Sequence, residues 1–271
     1  MAFFRLLWTF TYKQALCCIF PGIIFISLAL TKLLEIPFIA RYDLLLLICI
    51  LTQLLLIKFR LETWDELKVI MVFHVIGLML EIYKVHMGSW SYPEPGFAKI
   101  LGVPLYSGFM YASIASYICQ AWKRFDLKMM NWPNIWLIIC LCVAIYANFF
   151  THHYIVDFRW LLIVLVLVLF RKTYVYFKVN STQLKMPLSF SFLCIAFFIY
   201  VAENIASFYG AWAYPDQLIA WRPVHVSKIT SWYLLVIISI IIVAQLKFIK
   251  ETIAEKEIHA VKTKKGETTP K

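Results

Sequence analysis

Apolar residues run along this chain in long blocks, and polar residues gather in the short intervals between them. A helix needs roughly 20 apolar residues to cross about 30 Å of hydrocarbon. Eight blocks qualify, at about 15–34, 42–58, 68–87, 103–122, 133–151, 155–171, 186–206 and 229–249. The second and sixth are short, yet the sixth contains "WLLIVLVLVLF", with no polar residue at all. The pattern predicts an all-α polytopic membrane helical bundle with eight transmembrane helices. Residues 1–250 form one integral membrane domain. Residues 251–271 form a charged tail, helical at first and then rich in Lys and Thr.

Composition agrees. The chain is 62% hydrophobic and 15% charged, too few charges to cover a water-soluble surface of this size. Phe, Tyr and Trp are abundant enough for aromatic belts. All seven cysteines fall inside apolar runs and read as small buried hydrophobes. The amino terminus carries early positive charge and a long apolar run without a small-x-small site, so it reads as an uncleaved first span.

The formal charge of +11 has a topological meaning. With eight spans, nineteen of the 26 Lys and Arg residues fall on the side that holds both termini. Basic residues collect in cytoplasmic loops, so both ends are expected in the cytoplasm. No basic stripe interleaved with aromatics appears, which excludes a nucleic-acid partner. The expected partners are the lipid bilayer and a small-molecule or lipid ligand.

A heptapeptide occurs twice, as "GSWSYPE" at 88–94 and "GAWAYPD" at 210–216. A glutamate precedes each glycine by seven residues, Glu81 and Glu203. Such self-similarity across half the chain predicts a 4+4 duplication, with pseudo-repeats at about 1–125 and 126–250. Four spans per repeat make the repeats parallel. Each heptapeptide falls in an outward connection, where Trp90, Tyr92, Trp212 and Tyr214 suit headgroup depth. They read either as interfacial turns or as the mouth of a cavity, with Glu94 and Asp216 at its edge.

Glu81 and Glu203 lie inside their spans, where a lipid-facing carboxylate costs about 2.5–3.5 kcal/mol. His74, Gly77, Glu81 and Lys84 share one helix face, and Lys84 can reach Glu81 at i+3. Tyr200 and Glu203 share another, with Asn204 beside them. Tyr106, Met110, Ser113, Tyr117 and Gln120 make a third polar stripe. The stripes predict a polar interior of Glu81, Lys84, His74, Tyr117, Glu203, Tyr200 and Asn204. Interhelical hydrogen-bonding glue is the alternative reading. On the outer side, His152, His153 and Asp157 in "THHYIVD" are the densest ionisable cluster. Adjacent histidines suit a single metal poorly, although one of them with Asp157 could serve zinc or acid–base chemistry. No cofactor is called for, and no GxSxG, P-loop or GxGxxG motif occurs.

The stretches "EIYKVHMGSWSYPEPGFAKILGVPLYSGFMYASIASY", "THHYIVDFR" and "WRPVHVSKITSWYLLV" resemble a bacterial multi-pass membrane family known as domain of unknown function 817. The resemblance implies the bacterial plasma membrane and supplies no activity. "GSWSYPE…GVPLYSGFMY" also looks like the W-x-Y loop and Pro-Leu of carotenoid lycopene cyclase and hydratase membrane proteins. Those proteins carry acids after Pro-Leu, where this chain has Tyr106 and Ser107. Two functions are open. One is binding or transport of a small molecule or lipid through an interior lined by Glu81 and Glu203. The other is a membrane enzyme using carboxylate acid–base chemistry on a prenoid-type lipid.

Overall fold

A computed structural model describes residues 2–34 and 38–264, with side chains placed for 3–34 and 38–248. The chain is mostly helical. Its described residues form nine α-helices: α1 (Ala2–Cys17), α2 (Ile19–Leu33), α3 (Arg41–Lys58), α4 (Trp64–His86), α5 (Tyr106–Arg124), α6 (Ile135–Thr151), α7 (Arg159–Leu169), α8 (Leu188–Phe208) and α9 (Lys228–Lys264). Helices α2 to α9 fall one each in the eight apolar blocks.

The first block needs correcting. The chain bends by 70° between α1 and α2. Pro21 has no N–H to give the Cys17 carbonyl and crowds it, so one helix cannot run through 15–34. The sixth block needs correcting too. Helix α7 has 11 residues, or about 16 Å at 1.5 Å per residue, half the hydrocarbon thickness. By length and composition, α4, α8 and the first 21 residues of α9 can cross a membrane among the described residues. The bent α1–α2 pair makes a fourth candidate.

The all-α expectation also fails locally. A short hairpin pairs β1 (Lys99–Ile100) with β2 (Val103–Pro104), and a three-stranded antiparallel sheet orders β3 (Lys128–Met130), β4 (Tyr174–Val179) and β5 (Thr182–Pro187). In β4 the alternate residues Val175, Phe177 and Val179 are buried. Phe177 packs on Phe10 and Phe125 at ring distances of 6.1 and 6.3 Å. Strand β3 leads into α6 and β4 follows α7, so the sheet ties together the two feet of the α6–α7 pair.

Two helices form the centre. Helix α5 packs on α1, α2, α3, α4 and α9, and α9 packs on α4, α5, α6, α7 and α8, with α8 its main neighbour. Both are buried around most of their circumference. Close approach of α4 and α5 depends on glycine. A Cβ at Gly77 would lie 2.4 Å from Tyr111 Cγ, and one at Gly108 would lie 2.7 Å from the His74 carbonyl.

Polar contacts collect at two ends. At one, Glu66 is 1% exposed and accepts from Lys123 (2.5 Å) and Lys247 (2.6 Å), which joins α4, α5 and α9. Glu66 also closes a capping box with Thr63 at the start of α4. At the other end, Arg41 donates to Glu94 (2.9 Å), to the Thr31 hydroxyl (3.0 Å) and to the carbonyls of Leu28, Tyr209 and Gly210. One guanidinium thereby ties the C-terminal ends of α2 and α8 to Glu94 of the first heptapeptide loop.

Candidate functional site

The site is built from the ends of α4 and α8. Glu81 lies five residues before the last residue of α4, and Glu203 five before the last of α8. Gly88 and Gly210 follow, each at φ 69°, the left-handed region that glycine enters without strain. Ser89 N–H bonds the Lys84 carbonyl and Ala211 N–H bonds the Ala206 carbonyl, the same helix-terminating turn in both places. Each turn folds the heptapeptide back over its own glutamate. The two loops then meet, because Ser91 and Ala213 exchange both backbone hydrogen bonds at 2.9 Å. These residues occupy the same place in the two heptapeptides.

Beneath the loops lies a cavity of about 300 Å³, walled by α2, α4, α5, α6, α8 and α9 and by Arg159 at the start of α7. Both carboxylates line it and each is 4% exposed. Glu81 accepts from Trp90 Nε1 (2.6 Å), the Tyr92 hydroxyl (2.7 Å) and the Tyr111 hydroxyl (2.8 Å). Glu203 accepts from the Tyr214 hydroxyl and from Trp232 Nε1 (2.7 Å). Neither forms an ion pair among the described residues. Burying a carboxylate is costly, and here neutral donors alone offset it at hydrogen-bond range.

Cations surround the same space. Lys228, the first residue of α9, holds its ammonium 4.6 Å from the Tyr214 ring and 5.2 Å from the Trp90 ring. It lies within electrostatic reach of Glu81 and Glu203. The expected Lys84–Glu81 pair does not form. Lys84 instead contacts His153 Nε2 at 2.9 Å and His152 Nε2 at 3.4 Å, and lies over the Phe149 ring. The neighbourhood changes the histidines in turn. Burial, and then the Lys84 charge, hold both imidazoles below the ordinary histidine value. Asp157 bonds Asn148 and Arg159. Burial would raise its pKa, but those partners outweigh it and leave the carboxyl below the usual range.

The remaining expected residues divide. Trp90, Trp212, Tyr214 and His152 line the cavity, and Tyr92 reaches it through Glu81. His74 does not; it packs against Phe109 at 4.4 Å, with Nδ1 unpartnered among the described residues. Tyr117 lies away from the wall and donates to Gln14 of α1. Tyr200 donates to the Val224 carbonyl and Asn204 accepts from the Val224 N–H, so both pin the loop before α9. Glu94 pairs with Lys32 and Arg41, and Asp216 is exposed in a 3-10 turn. Among the described residues, no group of three or more His, Cys, Asp or Glu is placed to share a metal ion.

The wall residues that escape the sequence reading include Tyr111, Arg159, Lys228 and Trp232. Lys228 carried a signal, a lysine opening an apolar span, with Trp232 one turn further along the same face. Tyr111 carried none, because its partner is set by how closely α4 and α5 approach.

The sequence matches the family described as "Protein of unknown function (DUF817)" over residues 6–240, most of the chain and every wall residue of the cavity. The chain belongs to the DUF817 family. A relative from Bacillus subtilis (strain 168), "Uncharacterized protein YoaT", is 57% identical over 242 residues, covering 89% of this chain and 92% of that protein. No solved structure matches the DUF817 fold seen here. The likeness to carotenoid lycopene cyclases finds no support in these matches.

Proposed function

We propose that this DUF817 protein is a multi-pass protein of the bacterial plasma membrane that binds or transports a small molecule or lipid through the cavity lined by Glu81 and Glu203. The observation that carries the reading is the pair of buried carboxylates. Each is held by neutral Tyr and Trp donors at one chamber, with acceptor capacity left over. Carboxylates at membrane depth are rare and mark functional sites by default.

Eight crossings and a 4+4 arrangement belong to the same proposal. In support, α2 packs on α3 and α5 as α6 packs on α7 and α9, and α4 pairs with α5 as α8 pairs with α9. Lys228 and Lys247 stand nineteen residues apart on α9, one at each polar end. That is about 28 Å along the helix, close to the hydrocarbon thickness. The short α6–α7 pair crosses as a hairpin, with exposed Trp136 and Trp160 at its opposite ends, the depth that tryptophan prefers. Both termini then face the cytoplasm.

The test is extraction of lipids and metabolites from the purified protein, compared with Glu81→Gln and Glu203→Gln. The expected result is a bound species that is lost or depleted in both variants. Retention of the same species in the same amount by both would overturn the reading. A second reading, acid–base chemistry on a prenoid-type lipid, is favoured by tyrosine hydroxyls on both carboxylates within a largely apolar chamber. It predicts an altered lipid product among the extracted species.

A further inference from the structure

Two lysines at the cavity lack an oxygen acceptor at hydrogen-bond range among the described residues. Lys228 has ring contacts but no hydrogen-bond acceptor for its three N–H groups among the described residues. Lys84 is 3% exposed and meets two histidines that carry no negative charge. Arg159 completes a cluster in which the three cations feel one another electrostatically. Asp157 answers Arg159 at 3.0 Å; no carboxylate comes within ion-pair range of either lysine among the described residues. Glu81 and Glu203 act on Lys228 across the cavity, but their oxygens are turned to five neutral donors and neither meets a lysine at hydrogen-bond range.

Position makes this costlier. Lys228 and Arg159 are the first residues of α9 and α7. The N-terminal end of a helix carries partial positive charge and disfavours a cation. Cations at two such ends, with no acceptor at hydrogen-bond range of either lysine among the described residues, favour an anionic oxygen placed between them. Much of the wall is apolar, including Ile24, Phe25, Ile114, Ile145 and Leu235. Three tryptophans, Trp90, Trp212 and Trp232, stand beside it.

We infer that the cavity takes an amphiphile with an anionic oxygen headgroup, a phosphate or carboxylate, held between Lys84 and Lys228 with Arg159 beside them, and an apolar body seated below. This rests on the binding reading proposed above and gives it a ligand chemistry. Each lysine supplies unused N–H donors to the headgroup oxygens, and charge-assisted bonds of this kind are the strong ones. His152 and His153 orient Lys84 by accepting from it.

The experiment uses the full chain in phosphatidylcholine nanodiscs and follows tryptophan emission. The probes are decyl phosphate, decylamine, decanol and inorganic phosphate. Probe partitioning into lipid gives a linear, non-saturating response, which is subtracted from each titration. The expected result is saturable binding of decyl phosphate, weakened about tenfold or more in each single Gln variant, as the loss of one charge-assisted bond requires. Lys228→Arg should retain binding, and unchanged melting of the Gln variants shows that they fold. Decylamine or decanol binding as tightly as decyl phosphate, or Gln variants binding as wild type does, would overturn the anionic class while leaving the binding reading intact. Failure of all three alkyl probes would remove both. Phosphatidylglycerol nanodiscs distinguish the headgroup's source: a bilayer lipid in the site shifts emission without added probe and abolishes the decyl phosphate response, whereas a soluble amphiphile leaves that response in place.

Discussion

Replacing Glu81 by Gln and by Leu isolates what its three donors contribute. Both variants are neutral, so the cost of burying a carboxylate drops out of their difference. Glutamine can satisfy all three donors. Its carbonyl oxygen takes the place of Oε2 and accepts from Trp90 and Tyr92, and its amide takes the place of Oε1 and donates to Tyr111, whose hydroxyl turns to accept. Leucine satisfies none, and the Trp90 indole cannot change role. At the membrane-protein average of about 0.6 kcal/mol per bond, three bonds come to about 2 kcal/mol. Orphaned donors at about 1–3 kcal/mol each raise the figure, and two tyrosines able to seek other acceptors hold it near 5 kcal/mol. The leucine variant should therefore be less stable than the glutamine variant by about 2–5 kcal/mol, or roughly 5–15 °C in melting temperature. Thermal unfolding in one detergent, followed by tryptophan emission, measures this directly. A leucine variant that melts within a degree or two of the glutamine variant would refute the claim that these bonds offset the buried acid.

Other outcomes follow from the same contacts. Gly77→Ala places a Cβ 2.4 Å from Tyr111 Cγ and should cost about 1–3 kcal/mol while displacing Tyr111 from Glu81; Gly22→Ala meets nothing within 4 Å and should stabilise by about 0.4–1 kcal/mol, and thermal melts of the pair decide both. Arg41→Lys cannot replace five donors in a planar fork and should destabilise by about 2–4 kcal/mol, measured the same way. His152 and His153 have lowered pKa values when folded, so below about pH 6.5 the unfolded chain takes up protons that the folded protein refuses. Stability should be level above that pH and fall as pH drops toward the folded values; a His152→Gln/His153→Gln variant should lose that part of the slope. Glu62, in the loop before α4, shows the opposite sign: burial raises its carboxyl, against the bonds from Ser116 and Gln53. Stability should decline as pH climbs from about 4.5 through its folded value, and Glu62→Gln should flatten that decline in a pH series of melts.

The apolar blocks disclosed the helices because a segment surrounded by hydrocarbon must bond its own backbone and present apolar side chains along its whole length. That rule is silent about continuity, so the bend at Cys18 escaped, although Pro21 stood in plain view. The rule also hides strands. "YVYFKVNSTQLKMP" has β-branched and aromatic residues around Asn180, which adopts φ 55° in a two-residue turn between Val179 and Thr182. At the site, the spacing of Glu81, Trp90 and Tyr92 and its second copy identified half of the chemistry, because a returning loop and its helix end are neighbours in sequence. Tyr111 and Trp232 belong to the following helices, and only packing brings them to the acids.

The backbone bridge at Ser91 and Ala213 makes the two heptapeptide loops hostages to each other. A chain severed between α5 and α6 would leave each fragment displaying an unmet N–H and C=O that, in the intact fold, only its sibling fragment answers. Neither fragment could enclose the chamber alone, so the two are expected to be produced together. Co-expressed as separate polypeptides, they should find one another and co-purify.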